Sequence, residues 1–143
     1  MSEIWFKRPT IESIAKTHTD TAVEHLEIEF TEIGDDHLIA KMPTTSRTRQ
    51  PYGTIHGGVS LVLAETIGSC GAAACVDAER FRVFGQEING NHLRPNYEGW
   101  VYGTGRPVML GRRSQVWSIE IRNEAGKMTC ISRLTMAVVE RTD

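Results

Sequence analysis

Several features that would assign this chain to a large functional class are scarce or missing. Its three cysteines, Cys70, Cys75 and Cys130, are odd in number and lack metal-ligand spacing. Neither a disulfide framework nor a zinc site is indicated, and reduced thiols in a cytoplasmic protein are the expectation. No sign of charge dominates: 16 Lys and Arg stand against 18 Asp and Glu, a formal net charge of −2. Bulk electrostatics therefore gives no case for a nucleic-acid partner. The first residues show no basic segment leading into the apolar core of a signal peptide. The one long apolar run, Val59–Val76, is interrupted by Glu65 and by Gly, Ser and Thr, which argues against a membrane partner. Neither G-x-G-x-x-G nor a P-loop pattern occurs, which argues against nucleotide folds of those types. No linker or low-complexity run divides the 143 residues, and a single domain over 1–143 is expected.

What is present reads as alternating strands around one helix. Thr10 is a suitable N-cap for a short helix from Ile11 to Thr17, with Glu12 in its first turn. Leu26, Ile28 and Phe30 alternate with Glu27, Glu29 and Thr31, the pattern of a half-buried strand. Gly34-Asp35-Asp36 turns the chain, and His37–Met42 returns as a second strand ended by Pro43. Four more strands are expected: 81–91, broken at Gly85 and Gly90; 99–108; 115–122; and 127–140 after the Asn123–Gly126 turn. One long helix beside five or six mostly antiparallel strands is an α+β arrangement.

The stretch from Gln50 to Ser69 holds the chemistry. Pro51, Gly53 and Gly57-Gly58 mark it as a loop until a helix starts near Val59 and runs to about Cys75. That helix is apolar on every side, which predicts burial. Within it stands one carboxylate, Glu65, and burying an unpaired charge is costly enough that the group must find partners or be functional. The free N–H groups at the helix start, near Gly57, suit a carbonyl or an anion. Together these are the parts needed to attack a carbonyl carbon.

With Gln50, the His56-Gly57-Gly58 turn, Glu65 and Ser69 in this register, the chain resembles the hotdog-fold acyl-CoA thioesterases over about residues 4–139. The likeness is greatest to the bacterial branch acting on aromatic acyl-CoA. The resemblance implies a hotdog fold, in which an antiparallel sheet wraps one long central helix. It implies hydrolysis of acyl-CoA, with aromatic acyl groups such as dihydroxynaphthoyl or benzoyl or with a broad range of acyl groups, to free acid and CoA. The roles it implies are Glu65 as nucleophile or general base, the Gly57 amide polarising the thioester carbonyl, and Gln50 orienting thioester or water. His56 would organise the turn or touch substrate, and Ser69 would support the water or the Glu65 carboxylate. His92, Leu93, Arg94 and Pro95 match a segment that lines CoA, as does Gly85. So do Met109, Leu110, Gly111, Arg112, Arg113 and Ser114; without the resemblance, Arg112-Arg113 is an ordinary solvated turn. CoA thiolate is a good leaving group, so no metal and no cofactor is called for.

Gly57 and Glu65 are eight residues apart, or ~12 Å along one helix. A thioester carbon cannot lie within reach of both on one chain, so the spacing predicts a homodimer with two shared sites. The family's arrangement agrees, and a homotetramer built as a dimer of dimers is the implied assembly. Rival functions are a hydratase or dehydratase of acyl thioesters, a thioesterase for carrier-protein-bound aryl or acyl groups, and a non-catalytic acyl-CoA sensor. A Cys70–His56 nucleophilic pair is a further chemical alternative.

Overall fold

The computed structural model describes residues 2–143. Six strands form one antiparallel sheet in the order β1-β2-β4-β5-β6-β3. They are β1 (Glu29–Ile33), β2 (Leu38–Pro43), β3 (Phe81–His92), β4 (Trp100–Leu110), β5 (Ser114–Asn123) and β6 (Met128–Glu140). The long helix α3 (Gly57–Ala74) packs against β2 through β6, which is the hotdog arrangement. Two short helices, α1 (Ile11–Thr17) and α2 (Ala22–His25), precede the sheet.

Period-2 burial builds the central strands. In β5, Gln115, Trp117, Ile119 and Ile121 all point inward and are fully or almost fully buried. The helix meets them with Leu63, Ala64, Ile67 and Ala72, also buried. At Gly71 the fit leaves no room for a side chain: a Cβ there would lie 2.5 Å from the Trp117 ring. Gln115, buried in this apolar layer, is satisfied by donating to the Ala72 carbonyl (3.3 Å) and accepting from Trp117 Nε1 (2.8 Å).

The N-terminal segment is strapped across the end of α3. The Phe6 and Lys7 N–H groups both donate to the Ala74 carbonyl, an unpaired acceptor of the last helical turn. Trp5 stacks on Trp117 with centroids 6.5 Å apart, and its Nε1 donates to the Gly34 carbonyl (2.9 Å).

Three sequence readings need correction. The strand expected from Leu26 begins only at Glu29, because Ala22–His25 is a one-turn helix and Glu27 takes φ 59° to leave it. Leu26 and Ile28 are nevertheless buried, so helix exit and strand entry mimic one alternation. β3 is not broken at Gly85 and Gly90; the ladder to β6 continues through both, with a bulge between Gly85 and Glu87. The helix is not buried all round. Its sheet-facing side is closed, while Gly58 and Ala73 are exposed and Leu61, Val62, Glu65 and Ser69 are half-buried. α3 is long and apolar enough to cross a membrane (mean hydropathy 1.3), a property it owes to serving as a core helix with a second apolar side.

Candidate active site

The helix start is fixed by His56. Its extended backbone places Nδ1 to accept from the Gly58 N–H at 2.9 Å, an N-cap made by an imidazole, and the chain is helical from Gly57. The Gly57 N–H, at the first helical position, makes no hydrogen bond among the described residues. Gly57 borders a cavity of about 350 Å³ lined also by Gln50, Ser60, His92, Arg94 and Asn96. The His92 ring covers the helix start so closely that a Cβ on Gly57 would stand 2.6 Å from its Nε2. Gln50 Oε1 accepts from the Tyr52 N–H, which leaves its amide N–H groups free for a ligand.

The cavity is held open by one residue that carries no sequence signal of function. Asn96 donates from Nδ2 to Thr44 Oγ1 (2.8 Å) and to the Glu98 carbonyl (2.9 Å). Its main chain bonds Thr54 Oγ1 (2.8 Å) and Ile55 N (3.0 Å). The loop before α3 and the loop after β3 are thereby stapled together. Only a Pro-Asn turn signal at Pro95-Asn96 could have drawn attention to it.

Glu65 lies elsewhere. Its carboxylate rests on the bare backbone of β3, where a Cβ on Gly85 would stand 2.5 Å from Oε2. It forms no ion pair and no side-chain hydrogen bond among the described residues. The expectation of a fully buried carboxylate is thus corrected: in the single chain it is half-exposed, because α3 turns that side away from the sheet. Ser69 follows one turn later on the same stripe, with Oγ 3.8 Å from Met136 Sδ and no bond to Glu65. Met136 pairs with both Gly85 and Gln115, so Glu65, Ser69 and Gly85 form one cluster at the open edge of the sheet.

The two segments expected to line CoA separate. Leu93, Arg94 and Pro95 border the Gly57 cavity, and Arg94 spends one N–H on the Met128 carbonyl at 3.0 Å. Met109, Leu110, Gly111, Arg112, Arg113 and Ser114 instead form the β4–β5 turn at the opposite end, closed by Gly111 N–H to the Ser114 carbonyl (2.9 Å). Ser114 pairs with Ala137, itself the partner of Phe84, so this turn belongs to the Glu65 side of the sheet. Arg112 and Arg113 are exposed and make no ion pair among the described residues.

The thiol alternative fails on geometry and charge. The imidazole near Cys70 is His18, with Nε2 at 3.7 Å, and not His56. Burial pushes the Cys70 thiol up to about 12 and Cys75 up to about 11, so neither is a thiolate near neutrality. Among the described residues no group of three or more His, Cys, Asp or Glu is placed to hold a metal ion.

The chain thus holds two separate clusters, one with Gly57, Gln50 and His92 and one with Glu65, Ser69 and Gly85. Residues 52–130 match the thioesterase superfamily. The chain is 48% identical to 1,4-dihydroxy-2-naphthoyl-CoA hydrolase of Escherichia coli, the alignment covering 95% of this chain and 99% of that protein. It is 46% identical to the proofreading thioesterase EntH of Cronobacter turicensis, over 95% of this chain and 98% of the other. A crystal structure of a mutant thioesterase from Pseudomonas aeruginosa superposes with a TM-score of 0.96 at 40% identity, covering 97% of this chain and all of that one (100%). A thioesterase structure from Haemophilus influenzae gives 0.94 at 45% identity, covering 98% and 97%.

Proposed function

Since the chain belongs to the thioesterase superfamily and is a hydrolase of acyl thioesters, we propose that it cleaves acyl-CoA esters with aromatic acyl groups in a site shared between two subunits. The observation that carries this reading is the division of the site. Gly57 and Glu65 share one helix, ~12 Å apart along its axis, and among the described residues no carboxylate lines the Gly57 cavity. Two antiparallel α3 helices related by a twofold axis would set Gly57 of one subunit against Glu65 of the partner subunit. The uncovered stripe Gly58, Val62, Glu65 and Ser69 is free for that contact. So is the outer edge of β3, 12 residues long and unpaired, in contrast to the five-residue edge strand β1. A further pairing of dimers into a homotetramer is part of the same proposal, as is a cytoplasmic location.

In that arrangement the thioester oxygen accepts from the Gly57 N–H, where positive charge is concentrated at the helix start. A donor so placed contributes ~3–4 kcal/mol once the oxygen becomes an oxyanion. Glu65 takes a proton from water as the hydroxide adds to the carbonyl carbon. Collapse of the tetrahedral species expels CoA thiolate, which is protonated. Attack by the Glu65 carboxylate itself would give a mixed anhydride that water then opens. Gln50, with its N–H groups unspent, orients the carbonyl or the water. Arg94 on one side and Arg112-Arg113 on the other offer guanidinium groups to the phosphates of CoA.

Mixed dimers test the sharing. Gly57→Pro removes the N–H at a position where proline suits a helix, and the exposed His92 ring must swing aside to admit it. Glu65→Ala removes the carboxylate. Each homodimer should be nearly inactive on benzoyl-CoA. After random subunit exchange about half of the dimers are mixed and hold one intact site, so roughly 25% of full activity should return. Complete exchange between folded variants, shown by mass spectrometry, with no recovered activity would sink the shared site.

A further inference from the structure

The wall of the Gly57 cavity contains one polar group that the chemistry above leaves unused. Seven serine, threonine and glutamine side chains are buried among the described residues. Six of them donate to a carbonyl within the chain: Thr44 to Gly99, Thr48 to Pro43, Thr66 to Val62, Gln115 to Ala72, Thr129 to Ile121 and Ser132 to Asn89. The seventh, Ser60, is 7% exposed and its hydroxyl makes no hydrogen bond among the described residues.

The usual outlet for a helical hydroxyl, a carbonyl of its own helix, is taken. Thr66 bonds back to the carbonyl four residues before it, at 2.6 Å. The matching carbonyl for Ser60 is that of His56, which already accepts from the Val59 and Ser60 N–H groups, both at 3.0 Å. A buried hydroxyl left without a partner forfeits its hydration, so such a group calls for an explanation. No fully enclosed side-chain oxygen or nitrogen lacks a partner among the described residues. The Ser60 oxygen therefore keeps its access through the cavity that the side chain lines.

Its position limits what it can hold. Ser60 stands three residues beyond Gly57, on the same face of α3 and ~4.5 Å further along the axis. The Gly57 N–H points out of the helix start, away from Ser60, so one oxygen cannot accept from both. In an acyl-CoA whose carbonyl oxygen rests on the Gly57 N–H, the first amide of the pantetheine arm lies two methylene groups past the sulfur. That amide is ~5 Å from the carbonyl carbon, a spacing that matches the step from Gly57 to Ser60. Other polar walls of the cavity are committed: Thr54 Oγ1 and the Asn96 main chain bond each other (2.8 and 3.1 Å), and Thr129 is spent on Ile121. An amide offers an N–H and a carbonyl, and a hydroxyl can pair with either.

We infer that the Ser60 hydroxyl binds the first amide of the pantetheine arm and so keeps the thioester in register with the Gly57 N–H. This rests on the acyl-thioesterase reading of the cavity. Ser60 fixes the arm and takes no part in bond breaking.

Three benzoyl thioesters separate the arm from the reaction: benzoyl-CoA, the N-acetylcysteamine thioester, which keeps the first amide and nothing beyond it, and the ethyl thioester, which has no amide. Ser60→Ala should lower kcat/KM about 3–10-fold on the first two, the effect of one neutral hydrogen bond, and by less than about 2-fold on the third. Its melting temperature should equal or exceed that of the wild type, because no bond within the chain is lost and alanine is the better helix former. Equal losses on all three esters, a loss on none, or a loss confined to benzoyl-CoA would overturn the inference and leave the thioesterase reading intact. A fall of several degrees in melting temperature would do the same, by making Ser60 structural. If the ethyl thioester turns over too slowly, both truncated esters are scored through Ki as competitors of benzoyl-CoA, with the same fold-changes expected. A wild-type protein inactive on every acyl-CoA would remove that reading and the inference together.

Discussion

Helix α3 has a closed side and an open side, and glycine serves opposite ends on the two. At Gly71 the missing side chain lets the Trp117 ring reach the helix backbone, and the contact is complete within the protomer. At Gly85 the missing side chain lets the Glu65 carboxylate lie on an edge strand that no other strand of the sheet covers. Both glycines are steric necessities. One closes apolar surface with apolar surface; the other makes room for an unpaired charged group. The comparison teaches that a close glycine contact identifies function only when the group occupying the space is chemically active and otherwise unpartnered.

Four substitutions test whether the two sides are as separate as they look. Glu65→Gln should show the largest effect, a loss of about 10²–10⁴-fold in kcat, the usual worth of a positioned base. The melting temperature should stay within a few degrees, since no ion pair is lost, and a large drop would mean that Glu65 is structural. Gly85→Ala comes next. Its methyl group displaces the carboxylate and meets the core only in an ordinary contact with Met136 Sδ at 3.8 Å, so kcat should fall by about 10–10²-fold, as misplacement of a reacting group does. Unchanged kcat would show that Glu65 acts from another rotamer.

Gly71→Ala should reverse the pattern. Its Cβ would meet Trp117 at 2.5 Å and Leu38 at 2.9 Å, overpacking worth about 1–3 kcal/mol. The protein should melt several degrees lower with kcat nearly intact in the folded fraction. A kcat defect equal to that of Gly85→Ala would erase the distinction between the sides.

The smallest effect belongs to the β1–β2 turn, remote from both sides. His37 bonds Asp36 through Nδ1 (2.9 Å) and Glu32 through Nε2 (2.7 Å), and these two carboxylates raise its pKa above the ordinary 6.5 against an opposing push from burial and Arg106. Folding therefore favours the protonated ring. The stabilisation is full below about pH 6.5 and is lost as pH rises through the higher folded value. Both carboxylates are partly solvated, so the effect is at most about 1 kcal/mol. His37→Gln should flatten the pH dependence of the melting temperature between about pH 6 and 8 and leave kcat untouched. A matching change in the pH–rate profile would mean that the turn communicates with the site.

Much of this was legible in the sequence where a local pattern has one physical solution. The alternation Gln115, Trp117, Ile119, Ile121 can only be a strand with one buried face. Asn123–Gly126 can only be a turn between strands. Thr10 capped the helix it was expected to cap, with Ser13 completing the reciprocal bonds. The errors arose where two structures share a pattern. A one-turn helix running into a strand buries Leu26, Ile28 and Phe30 as a strand alone would. An all-apolar helix is read as enclosed, although Gly58 and Ala73 of α3 are exposed and Leu61 and Val62 only half-buried. Glu65 could be singled out as the odd charge on that helix, but its seat on Gly85 depends on a register with β3 that no local signal encodes. The same holds for the partition of the CoA-matching segments between the two ends, and for Asn96, whose work is done by bonds to residues far away in the chain.

The place of β3 in the sheet also sets a schedule. β3 is third of the strands in sequence but stands at the edge, and its one neighbour in the sheet is β6, the last strand to be made. On the ribosome, residues 81–92 must wait for Met128–Glu140 before they can pair, an interval of several seconds at about 5–20 residues per second. Until then Gly85 has no fixed position beneath Glu65, and the apolar underside of α3 lacks part of its covering. The nascent chain thus acquires the geometry of its candidate site near the end of synthesis, and a fragment stopping before β6 would expose a sticky strand with Glu65 still unseated.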